Sequence, residues 1–134
     1  MSETERNEPP RGADDNAGLF RHKEHVKLAW LYLRKYTLLE AVVKVSEALK
    51  MFATVNGAEN KYNETLTWAY IFLINERMAR LRDGHTWDEF FAANPELFNW
   101  DENILKTYYS EATLNSELAR RVFIFPDLRT NGKS

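Results

Sequence analysis

The chain has no cysteine among its 134 residues, which excludes disulfides, thiolate nucleophiles, zinc fingers and cysteine-ligated iron–sulfur centres together. Long apolar runs are missing as well. The two longest, Leu28–Leu33 and Ala69–Ile74, fall far short of the roughly 20 residues that span a bilayer. There is no glycine-rich phosphate loop, because Gly57 and Gly84 stand alone as helix stops. No Gly-x-Ser-x-Gly elbow, no kinase or dinucleotide fingerprint and no His-Glu-x-x-His occurs. An excess of one charge is also lacking. With 18 basic and 20 acidic residues the formal net charge is -2, so no global field draws the chain to nucleic acid. Arg21, Lys23, Lys27, Arg34 and Lys35 cluster in sequence but read as a solvated helix face. The N-terminus has neither an apolar signal core nor an arginine-rich amphipathic pattern, which makes the cytoplasm the expected compartment. With nucleic acid and membrane set aside, a small-molecule ligand or a second copy of the chain, as a homodimer, stays open as a partner.

What is present suits one domain. Hydrophobic residues at 44% and aromatics at 13% supply material for a core at this length. Residues 1–17 are acidic, carry Pro9-Pro10 and have no aliphatic side chain larger than alanine after Met1; a disordered tail is expected. Residues 18–128 are expected to form a single helical domain, and residues 129–134 a flexible C-terminus. Order should begin near Leu19 with a first helix whose Val26, Ala29, Trp30 and Leu33 recur at the spacing of a buried stripe. Thr37 with Glu40 forms a capping box for a second helix, expected to turn Leu38, Leu39, Val42, Val45, Leu49 and Phe52 inward before Asn56-Gly57. A third helix should run from about Asn60 to Arg82, with an apolar centre suited to the middle of a bundle. Thr86 with Glu89 is a second capping box, flanked by His85 and Phe90 as a staple. Asn94 is expected to cap a turn opening with Pro95, a further helix to cover Asp101–Tyr109, and Ser116 to cap the last one. Nothing alternates with the period of a strand. The predicted fold is all-α, a compact bundle of three long helices closed by two or three short C-terminal helices.

Histidine is scarce, with three copies, and two of them sit three apart. His22 and His25 are about 60° apart around a helix axis, so both imidazoles can address one spot, beside the small Ala29. Tyr62, Glu64 and Thr65 open the third helix. If the first and third helices meet at these ends, two imidazoles and a carboxylate converge. His22, His25 and Glu64 would then suffice for a divalent metal such as zinc or iron, with positions left open for water or substrate. Without a metal, Glu64 could orient a histidine as general acid or base, Tyr62 could polarise a carbonyl and Thr65 could support both. A structural reading competes. The histidines could be half-exposed first-turn residues, and Glu64 could simply compensate a helix dipole. His85 reads as a local staple, and Glu76 as half of a structural ion pair. The aromatics Trp30, Tyr32, Tyr36, Trp68, Tyr70 and Phe72 read as core.

The pattern Phe20-x-His22-x-x-His25, Tyr62-x-Glu64-Thr65, Tyr108-Tyr109-Ser110 and Pro126-Asp127-Leu128 resembles a family of small, uncharacterised all-helical proteins. The likeness covers nearly the whole chain beyond the tail; it implies a shared fold and brings no activity with it. The sequence therefore points to a small helical enzyme, or a small-molecule- or metal-binding protein, using a His-His-Glu site. The other class is a non-catalytic helical protein-interaction module.

Overall fold

Helix formation here starts from caps. Thr37 Oγ1 accepts the Glu40 N–H at 3.3 Å while the Glu40 carboxylate accepts the Thr37 N–H at 3.0 Å. Thr86 and Glu89 repeat the reciprocal pair at 3.1 and 2.9 Å. Each cap satisfies amides that the helix itself leaves without partners, and is worth about 1 kcal/mol. Gly57 and Gly84 close turns at φ 67° and 78°, a region in which a Cβ is strained.

A computed structural model of the chain describes the backbone of residues 14–128 and the side chains of residues 21–128. Three long helices, α1 (Asp14–Lys35), α2 (Leu38–Val55) and α3 (Glu64–Ala79), each pack against the other two. The shorter α4 (Trp87–Ala93), α5 (Glu111–Leu114) and α6 (Glu117–Arg121) follow, with 3-10 turns at Glu59–Lys61, Pro95–Phe98 and Ile104–Thr107. Among the described residues there is no strand, and none of the helices is long and apolar enough to cross a membrane. The all-α bundle predicted from periodicity is the observed fold.

The core joins both halves of the chain. Val26 and Trp30 from α1, Val42 and Val45 from α2, and Ile71 and Ile74 from α3 pack with Phe90, Leu97, Leu105 and Tyr109. Burying each large side chain contributes about 1.5–3 kcal/mol. Lys23, Lys27, Arg34 and Lys35 of α1 lie over aromatic rings, with Lys23 4.2 Å from the Phe91 centroid and Arg34 4.7 Å from that of Trp30. Glu76 pairs with Arg80 on the surface of α3, the structural partner expected for it.

Several boundaries differ from expectation. Residues 1–13 and 129–134, most of the predicted tail and the C-terminus, lie outside the described residues. From Asp14 to Ala17, within the segment expected to be disordered, the backbone is already helical; extending an existing helix requires no new nucleus. The predicted third helix is broken. Tyr62 is extended and Asn63 starts α3 afresh by accepting the Leu66 N–H at 2.9 Å. The helix expected over Asp101–Tyr109 shrinks to a 3-10 turn, because Asn103 Oδ1 accepts the Leu105 N–H at 2.8 Å and the Tyr70 hydroxyl at 2.9 Å. Asn94 makes no cap bond; its side chain donates to Phe90 O and accepts from Arg77 instead. Leu39 and Phe52, expected inward, are 72% and 50% exposed, since α2 buries the narrower face of Ala41, Val42, Val45 and Ser46.

His85 does more than staple α4. Its ring stacks on Phe90 with centroids 6.1 Å apart, and its two nitrogens are both engaged. Nδ1–H donates to Arg82 O at 3.0 Å, leaving the Nε2 lone pair to accept the Trp30 Nε1–H at 3.0 Å. His85→Ala strands that buried indole donor, so unfolding in urea should show a loss of about 1–3 kcal/mol. An unchanged midpoint would contradict this role.

Candidate functional site

A cavity of about 330 Å³ opens between α1, α2 and α3, near the lower end of the roughly 300–1,000 Å³ typical of small-molecule sites. Its floor is apolar, formed by Val26, Ala29, Val45, Leu49, Ile71 and Ile74. The small Ala29 leaves the space that a larger residue on the α1 stripe would fill. His22, His25, Thr67 and Tyr70 supply the polar wall, and Arg21, Lys61 and Trp100 stand around them. The exposed Arg21, Lys61 and Trp100 mark the mouth.

His22 is only 6% exposed, which makes its hydrogen bonding decisive. Nε2–H donates to Leu97 O at 2.7 Å, across 75 residues of sequence. The ring lies 4.8 Å from both Tyr70 and Trp100, edge-on to the first and tilted on the second. Burial holds its pKa below the ordinary 6.5, against the opposing pull of the Leu97 carbonyl. Near neutral pH the ring is therefore uncharged, with the proton on Nε2 and the lone pair on Nδ1. His25 is half-buried, with its ring perpendicular to Phe52 at 6.2 Å. Burial also lowers its pKa, the Arg21 guanidinium lowers it further, and Glu24 opposes them. Tyr70 points its hydroxyl at Asn103, so it serves as wall.

The five residues singled out from sequence divide into three places. His22 and His25 share the cavity, as their spacing on one helix face predicts. Tyr62 and Glu64 form a separate pair beside it, the phenol donating to Glu64 Oε1 at 2.7 Å with Lys50 Nζ 3.7 Å from the same oxygen. Burial pushes the Tyr62 pKa up, and Glu64 adds to the rise. Ser46 Oγ is buried and completes no hydrogen bond among the described residues. Thr65 belongs to neither group. Fully buried, it donates to Val122 O at 2.9 Å and accepts the Ile124 N–H at 3.0 Å, fastening the C-terminal segment to α3.

The metal set is not assembled. Among the described residues no three His, Asp or Glu side chains come close enough to hold an ion. Glu64 is held by Tyr62 and Lys50, and one nitrogen of His22 is committed to Leu97. The geometry of a zinc or iron centre on His22, His25 and Glu64 is thereby corrected to two imidazoles in a cavity and a carboxylate outside its lining. Sequence reasoning missed Arg21, Lys61, Thr67 and Trp100 as cavity residues. The signal for Thr67 was its place four residues before Ile71 and seven before Ile74, on one stripe of α3; charges such as Arg21 and Lys61 read as solvated until a cavity places them. Comparison of the chain with protein-family models, with curated proteins and with solved structures gives no match.

The lowered pKa of His22 has a definite sign. In the unfolded chain the imidazole binds a proton near pH 6.5, whereas the folded chain resists protonation until a lower pH. Between these values the unfolded state holds more protons, so stability is full above the window and falls as pH drops through it. His25 acts in the same direction. The melting temperature should therefore be lower at about pH 5 than at about pH 7, with a smaller difference in His22→Asn. Equal differences in calorimetry of the two proteins would contradict the assignment.

Proposed function

We propose that the protein binds a small, largely apolar molecule in the cavity between α1, α2 and α3, with His22 and His25 as the polar groups that orient it. The observation that carries this reading is the pairing of an apolar floor with two imidazoles in one cavity. Sites for small molecules combine those features: hydrophobic lining supplies affinity, and a few placed polar groups supply orientation. The two histidines have different parts. His22 is fixed by Leu97 and offers only its Nδ1 lone pair, as an acceptor toward a hydroxyl or amide of the ligand. His25, half-buried and uncharged near neutral pH, can take a proton from a bound molecule or return one. A small enzyme working by acid–base chemistry would use that imidazole.

Exposed apolar side chains on α2, Leu39 at 72% and Val55 at 74% among them, favour a second reading as an interaction module. Two measurements separate the readings. N-phenyl-1-naphthylamine, a neutral dye that brightens in apolar sites, should bind the purified chain with saturation. Leu49→Trp, which fills the cavity, should abolish the signal while circular dichroism stays helical. Dye binding that survives Leu49→Trp, or a dimer in sedimentation velocity that Val43→Lys dissociates together with the dye signal, would move the function to the α2 surface.

A further inference from the structure

Resting on the cavity being a ligand site, we infer that its ligand is an amphipathic monoanion, an apolar body carrying one carboxylate that sits between Arg21 and Lys61. The fixed charges in the lining are these two cations, and among the described residues no aspartate or glutamate lines the cavity. The acids nearby are turned to other tasks. Glu64 is held by Tyr62 and Lys50, and Glu24 is exposed beside His25, where Arg21 acts more strongly. A ligand with a cationic head would meet like charge and, among the described residues, no counter-ion in the lining, at a cost that scales with its desolvation. A carboxylate meets the planar fork of the Arg21 guanidinium, which can hold both oxygens, and the Lys61 ammonium in the same lining. His25 adds a third contact, because an arriving carboxylate favours the charged imidazole that burial and Arg21 otherwise disfavour.

A phosphate fits less well. It carries up to two charges and a tight hydration shell; among the described residues no glycine-rich loop lines this mouth to replace that water, and at the start of α3, beside Lys61, the Leu66 N–H is already taken by Asn63. The size of the body follows from the volume. At roughly 30 Å³ for each non-hydrogen atom, 330 Å³ holds about ten of them. Octanoate is a carboxylate of that size, with an unbranched tail that can lie over Val26, Leu49, Leu66 and Ile74.

The test is isothermal titration of the full chain with octanoate, 1-octanol and octylammonium, in the wild type, in Arg21→Gln/Lys61→Gln and in Leu49→Trp. Both charged residues are exposed, so their replacement leaves the core intact. Octanoate should bind roughly tenfold or more tightly than octanol, as one or two charge-assisted contacts dictate, with octylammonium weakest. The double variant should bring octanoate to the level of octanol and leave octanol unchanged. If octanol or octylammonium matches octanoate, or if the double variant leaves octanoate binding intact, the anion inference is overturned; loss of binding in Leu49→Trp would then still uphold the cavity. If none of the three ligands binds, or if Leu49→Trp binds them as the wild type does, the cavity reading falls and the anion inference with it.

Discussion

One buried hydrogen bond sets the shape of this molecule: the His22 imidazole donating to the Leu97 carbonyl at 2.7 Å. It ties α1 to a turn 75 residues away, and neither group has an alternative partner in water once the ring is covered. Breaking such a bond costs more than forming it gains, because the stranded group keeps its desolvation penalty. The bond also determines the site. It fixes the ring between Tyr70 and Trp100, makes it a rigid wall of the cavity and dictates which nitrogen carries the proton. His85 repeats the device in reverse, sitting in the C-terminal half and accepting from Trp30 on α1. Two imidazoles thus lock one helix to the rest of the fold.

What could be read from the sequence was local. The capping boxes at Thr37 and Thr86 link residues three apart, so the residues involved are visible side by side. His22 and His25 share a face by helical geometry alone, and they do share the cavity. The failures lie where distant partners decide. Asn63 interrupts the expected third helix while its amide also donates to Leu114 O at 2.7 Å, across 51 residues. Glu64, expected to converge with the two histidines, is captured by a tyrosine two residues earlier and a lysine on α2. Thr65, next in line, serves the backbone of the C-terminal segment. Leu39 and Phe52 have the right period for burial but lie at the edges of a face narrower than the pattern suggests.

The cavity joins these observations into a functional picture. Its floor comes from residues that any helical bundle would bury, with room left by Ala29. Its chemistry comes from the middle of α1, where Arg21, His22 and His25 follow within a turn or so, and from Lys61 in the 3-10 turn before α3. A rigid neutral imidazole, a second one poised to change charge, and two cations at the rim form a graded polar edge on an apolar space. That arrangement favours a ligand with one wet, negative end.

The central claim is the protonation and orientation of His22, which long-range ¹H–¹⁵N correlation spectroscopy of the imidazole nitrogens reads directly. The account predicts a protonated Nε2, an unprotonated Nδ1 and a titration midpoint below 6.5. A proton on Nδ1, or titration at or above the ordinary midpoint, would show that the ring is not held by Leu97 and would contradict the account.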